Sequence, residues 1–419
     1  MIRRNDFDQT LSRWLHDEAG AGTAGYLEET LILLDRTPQR RWRGAVRRAI
    51  PLPAVPRMVV PRPLVYAAVV GLLTLALVAA AVLIGSQRRL PPPFGPAANG
   101  IIAYDDGKDV YLAEPDGSRA RPITGGLGIE FNPAFSPDGT LVAFWSTRNS
   151  GVPPGLFVAP ADGSEPARRI GGKLRHVGSN HVPPAWSPDS RSIAVADHGP
   201  GSTATIFVAS VDGGDARHVG GAGAGYPAWS PDGQWIAYRS DRDGRTRLML
   251  IRPDATGERE VSRVPDLVNA FTQIAWSPDS TRLVYHRPEP PSENVIAVYH
   301  LATDRERIVS PLDVHSDAPT WSNDGTRIAY MTEVPNANGV HHELFVVDAG
   351  GQNRRPMGPV ADCSAWWSPD DRYVISYAPG CFNDRIVIVP VDSDEPTRTV
   401  ELPGSIVGAP SWQRVAEDR

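Results

Sequence analysis

The side chains best able to do chemistry in this 419-residue chain are ten histidines, two cysteines and six aspartates at similar positions along it. His341 and His342 are adjacent. On a strand such neighbours point to opposite faces, so they share a metal ion only if a loop carries them. The aspartates are Asp138, Asp189, Asp232, Asp279, Asp324 and Asp370. Each follows Ser-Pro or Ser-Asn, and the residue after it is Gly, Ser or Asp. Pro presets φ, Asp bonds to the local backbone, and Gly takes positive φ, so these are turn residues rather than acids or metal ligands. A G-x-S-x-G nucleophile elbow, an H-E-x-x-H pair and a Gly-rich phosphate loop are missing from the sequence. The reading is therefore of a protein without catalytic residues, cofactor or metal.

The elements that carry these turns repeat. PAFSPDGTLVAFWS begins at Pro133, PAWSPDSRSIAVAD at Pro184 and PAWSPDGQWIAYRS at Pro227. IAWSPDSTRLVYHR begins at Ile274, PTWSNDGTRIAYMT at Pro319 and SAWWSPDDRYVISYA at Ser364. The aromatic before each turn is Phe135, Trp186, Trp229, Trp276, Trp321 or Trp367, at intervals of 51, 43, 47, 45 and 46 residues. A propeller blade of four short strands needs that length. In each unit an aromatic ends the innermost strand, the turn follows, and a run such as Leu141-Val142-Ala143-Phe144 makes the second strand. Leu156-Phe157-Val158 exemplifies the third. A hairpin at Asp162-Gly163 leads to a polar fourth, Ala167 to Ile170.

Both ends are incomplete. Residues 101–123 supply strands two to four of a blade, and Pro410-Ser411-Trp412 supplies an innermost strand alone, in register 45 residues after Trp367. Pairing the two closes a ring of seven and leaves no free sheet edge between its ends. The predicted fold is all-β: a seven-bladed β-propeller of four-stranded antiparallel blades. The pattern resembles the TolB-like propellers, whose repeat centres on W-S-P-D-G, over roughly residues 100–415. Phe135, Asn323 and Asp371 depart from it, as local variation within intact blades.

Ahead of the propeller, Leu64 to Ile84 are 21 residues without a charge, which as a helix span roughly 30 Å, a bilayer core. Arg40, Arg41, Arg43, Arg47, Arg48, Arg57 and Arg62 precede this run, and Arg88 and Arg89 follow it. The positive-inside rule then places the N-terminus in the cytoplasm and the propeller outside. The expected layout is a cytoplasmic tail over 1–63, a single transmembrane helix over 64–85, a Pro-rich linker over 86–99, the propeller over 100–415 and a short tail at 416–419. In the N-terminal tail, Phe7, Leu11, Trp14 and Leu15, then Tyr26, Leu27, Leu31 and Leu34, fall at helical spacing and suggest two short amphipathic helices. The layout resembles membrane-bound anti-sigma regulators, but the tail has no Cys for the zinc motif many of them carry. The tail, residues 1–50 above all, is a candidate surface for a cytoplasmic partner. Past residue 63 there are 31 basic against 41 acidic side chains, which argues against nucleic acid as a ligand.

Propellers bind at the face lined by the loops between strands two and three and between blades, where a rigid scaffold holds variable residues. The candidate ligand-binding residues there are Trp145, Arg148, His181, Asp197, His198, Tyr226, Arg239, Asp241, His286, Arg287, His315, Asp317 and Glu333. Arg242, Asn336, Glu130 and Asn269 lie on the same loops. Cys363 opens the innermost strand of the last blade and Cys381 lies just past the next strand. Those ends meet in an antiparallel hairpin, so a disulfide is expected in an oxidising outer compartment. The reading is of a membrane-anchored extracytoplasmic module binding a protein, peptide or cell-envelope ligand. The alternatives are a transmembrane signalling regulator of anti-sigma type and a propeller hydrolase or lyase.

Overall fold

The Ser-Pro-Asp-Gly turn builds itself from its own side chains. In the first copy Ser136 Oγ donates to Asp138 Oδ1 at 2.6 Å, and the amide and hydroxyl of Thr140 donate to the same oxygen at 3.0 and 2.8 Å. The amide of Leu141 donates to Ser136 Oγ at 2.9 Å, and Gly139 takes φ +71°. The Ser-to-Asp bond recurs at Asp189, Asp232, Asp279, Asp324 and Asp370, between 2.5 and 2.6 Å. The six aspartates are turn residues, as their spacing predicts.

The structure is a computed structural model. It describes residues 95–416 apart from 126–127, 148–154, 175–182, 199–203, 243–244, 262–272, 337–338, 362–363, 380–383, 405 and 407. The tail helices, the apolar run Leu64 to Ile84, most of the linker, Cys363 and Cys381 lie outside the described residues. Among the described residues no helix is long and apolar enough to cross a membrane.

The turns join strands into seven four-stranded antiparallel sheets. Blade two runs Ile129–Phe135, Leu141–Thr147, Gly155–Pro160 and Arg168–Ile170. The next four blades follow the same order, starting at Ala185, Ala224, Ala275 and Ser316, and the seventh starts at Ala365. Blade one takes three strands from Ala98–Asp105, Val110–Ala113 and Arg121–Pro122, and its innermost strand from Ser411–Val415. There Ile102 pairs with Trp412 and Ala103 with Ser411. The closure expected from Trp412 is thus present.

Seven apolar clusters form the core, one between each pair of neighbouring blades. Ala103, Val110 and Leu112 of blade one meet Phe135, Val142 and Phe144 of blade two. Ile375, Tyr377 and Ile386 of blade seven meet Ile102, Tyr104 and Trp412 of blade one, which completes the circle. The repeating tryptophans sit in these seams. Trp186 Nε1 donates to the carbonyl of Ala134 in the preceding blade at 2.9 Å, and Trp276 Nε1 does the same to Ala228 at 3.0 Å.

Candidate binding site

The second strands run further than the sequence pattern suggests, to Thr147, His198, Arg242, Glu289 and Asn336. Trp145, Asp197, Arg239, His286, Arg287 and Glu333 are therefore strand residues near the loop face, not loop residues. The reason is hairpin pairing that continues past the apolar core, as where Glu333 pairs with His342 and Asn336 with Gly339. Trp145 is buried in the core between blades two and three. Asp197 is buried as well. Arg148 and His181 lie outside the described residues. His198 ends its strand, and its side chain is also outside them.

The innermost strands of blades two, four and six each carry a left-handed residue just before a proline: Asn132, Tyr226 and Ala318, at φ 55°, 54° and 50°. The pairing register shifts at each of these points. Such bulges re-aim side chains at a sheet end. The Tyr226 ring lies 5.6 Å from the guanidinium carbon of Arg239, within cation–π range. Asp241 holds the same guanidinium by an ion pair and accepts from Thr246 Oγ1 at 2.6 Å.

One blade further round, His315 Nε2 lies 3.4 Å from Asp317 and its Nδ1 lies 3.8 Å from Glu293. The bond with Asp317 raises the His315 pKa; burial opposes this, and Glu333 and Glu293 add to it. The amide of Glu333 donates to the carbonyl of His315 at 3.0 Å, and its carboxylate lies 3.7 Å from His342. His286 on blade five is 3% exposed, and burial pushes its pKa down to about 4. Its electrostatic neighbours are Asp317, His315 and Arg239. Tyr226, Arg239, Asp241, His286, His315, Asp317 and Glu333 thus gather over blades four to six. Arg287 does not join them. It turns along its own blade to Glu306 at 2.6 Å and to Glu289, as a strut.

Sequence reasoning missed Glu293 and Asp105. Glu293 approaches His315 only through the packing of blade five on blade six. Asp105 is fully buried and accepts from the amides of Asn132 at 3.2 Å and Gly408 at 3.0 Å, which ties blades one and two to the closing segment. Partners so distant in the chain leave no local signal. Among the described residues no group of three or more His, Cys, Asp or Glu is placed to hold a metal ion.

Residues 173–369 match the TolB beta propeller domain. Over that stretch the propeller is similar to the TolB domain. A 47-residue stretch is 45% identical to the Protein TolB homolog of Chlorobium luteolum, 11% of each chain. A 131-residue stretch is 35% identical to Tricorn protease homolog 1 of Streptomyces coelicolor, 30% of this chain and 11% of that one. The chain thus spans about a tenth of the length of these relatives. Among solved structures, one from a study of two prolyl endopeptidases aligns over 75% of this chain and 51% of its own, with TM-score 0.54 and 15% identity. TolB from Acinetobacter baumannii covers 75% and 66%, with TM-score 0.45 and 17% identity. At 15% identity the likeness to the structure from the prolyl endopeptidase study is one of fold.

Proposed function

We propose that this protein is a membrane-anchored binding module, without catalysis of its own, whose TolB-like propeller presents its loop face to a protein or peptide outside the cytoplasm. The observation that carries the reading is the patch over blades four to six. Two arginine-facing groups, Tyr226 and Asp241, and a histidine–carboxylate group around His315 share one end of a rigid ring. Charge and aromatic surface together suit protein recognition. The uncharged run Leu64 to Ile84 and the arginines before it support the anchor and its orientation. The missing nucleophile elbow supports binding over hydrolysis.

A photo-crosslinking residue at Tyr226 of the full chain in intact cells tests this. The same residue at Gln234, exposed beside a Ser-Pro-Asp-Gly turn on the opposite end of the blade, is the control. Protein adducts are expected at Tyr226 and not at Gln234. Adducts at neither position, or equally at both, count against a binding loop face.

A further inference from the structure

His286 is an unusual core residue. It is almost fully enclosed, yet neither ring nitrogen meets a hydrogen-bond partner among the described residues. A buried polar group left unpaired costs about 1–3 kcal/mol, so it normally has a partner. Burial keeps the ring neutral, and a neutral imidazole holds one nitrogen lone pair that accepts a hydrogen bond.

The groups around it have a clear sign. Facing His315 are Asp317 on the innermost strand of blade six, Glu333 on the second strand, and Glu293 from the third strand of blade five. His342, on the third strand of blade six, faces Glu333. The basic group on the far side is Arg239, which Asp241 already neutralises. Three carboxylates, Asp317, Glu333 and Glu293, therefore gather on this part of the loop face, and burial keeps His286 beside them neutral.

We propose that Asp317, Glu293 and Glu333, with the acceptor nitrogen of His286 behind them, receive a cationic side chain, Arg or Lys, from a protein partner, and that His315 competes with that side chain for the same carboxylates. A guanidinium suits the task because it offers several donors at fixed angles to carboxylate and imidazole acceptors. Competition fixes the pH dependence. His315 is uncharged above its raised pKa, where the carboxylates are free for the incoming cation. As pH falls through that pKa, His315 takes a proton, pairs with Asp317, and occupies the site. The inference rests on the loop face being the binding face.

The test uses the full chain carrying isotope-labelled histidine, followed by NMR, with N-acetylarginine amide as the probe and its uncharged isostere N-acetylcitrulline amide as the control. The arginine amide is expected to shift the His286 and His315 signals, and the citrulline amide to leave them in place. Its affinity falls by up to about tenfold per pH unit below the His315 pKa, as displacement by one proton requires. In His315→Gln binding persists with that pH dependence gone. Glu293→Gln, at a side chain 91% exposed and hence safe for folding, weakens binding; Asp317→Asn abolishes it. Equal response to citrulline amide, response to N-acetylaspartate instead, or no response to arginine amide overturns the proposal. So does a pH dependence that survives in His315→Gln. Protein adducts at Tyr226 together with silence toward arginine amide sink this inference alone. Arginine amide binding without adducts sinks the wider reading alone.

Discussion

The unsatisfied imidazole at position 286 also governs how the propeller responds to acid. Its folded pKa, about 4, lies below the ordinary value of 6.5. The unfolded chain therefore binds more protons between those values, and stability falls as pH drops from about 6.5 toward 4. Above 6.5 both states are neutral there and the group contributes no slope. The loss amounts to about 3 kcal/mol across the window, from the size of the shift. His286→Leu removes both the titration and the unpaired nitrogens, so it should match or exceed the wild type at pH 7 and unfold at higher urea than wild type at pH 5. Equal urea midpoints at pH 5 would show that the ring is solvated in the native state. Asp279 behaves in the opposite sense. Burial works against its charge, but donors at Ser277 and Thr281, with Arg282 nearby, pull its carboxyl down to about 2. A depressed acid stabilises above its unfolded pKa, 3.8, and loses that contribution as pH falls through the folded value. Asp279→Asn should cost about 1 kcal/mol at pH 7, and the gap in melting temperature should close near pH 2.

At the scale of the turn, the departures from Gly follow a rule. Gly139, Gly233 and Gly325 alternate around the ring with Ser190, Ser280 and Asp371, which take the same left-handed backbone at φ 60°, 59° and 61°. Each non-glycine reaches back to the turn before it. Ser190 Oγ accepts from the amide of Asp138 at 3.1 Å and Ser280 Oγ from that of Asp232 at 2.9 Å. Asp371 accepts from both backbone and side-chain nitrogens of Asn323, at 2.6 and 2.8 Å, and from the amide of Asp324 at 2.8 Å. The left-handed conformation costs such a residue about 1 kcal/mol, and the cross-blade bonds outweigh it. Asp371→Gly, which restores the motif, should therefore lower stability by about 1–2 kcal/mol, read as a drop in melting temperature; an increase would show that backbone relief dominates. Turn chemistry was legible in the sequence because it arises within one repeating unit, and blade count and closure because that unit recurs in register up to Trp412. The bulges at Asn132, Tyr226 and Ala318 sit beside prolines that were visible, but their left-handed φ was not. Trp145 reads as a loop aromatic in sequence because nothing local tells where a strand passes from apolar to polar neighbours. The meeting of His286, Glu293, His315 and Asp317 depends on how two blades pack, which no local pattern encodes.

The ring as a whole is closed by a strand from the far end of the described chain, and that strand does more than pair. Trp412 fills the seam between blades seven and one and donates to the carbonyl of Gly100 at 2.9 Å. Gln413 Nε2 donates to the carbonyl of Gly139 at 2.7 Å, which engages the first turn of blade two. Arg414 donates to Asn323 Oδ1 at 2.7 Å and to the carbonyl of Gly95, so it links the turn of blade six to the entry of the chain. Burial lowers its pKa to about 10, which still leaves it charged at neutral pH. The fit is close enough to forbid a methyl group: a Cβ at Gly139 would lie 2.3 Å from the carbonyl oxygen of Arg414. Gly139→Ala should therefore act on closure as well as on its own turn. Its cost should exceed the roughly 1 kcal/mol of a left-handed alanine and approach that of Trp412→Ala, about 3–5 kcal/mol for a buried Trp. Hydrogen exchange separates a turn defect from a closure defect. If closure fails, amides of Ala98–Asp105 in blade one and of Tyr373–Tyr377 in blade seven lose protection together, while blades three to five keep theirs. Lost protection confined to residues 136–141 would mean that the strand tolerates displacement, and that the seven seams hold the circle without it.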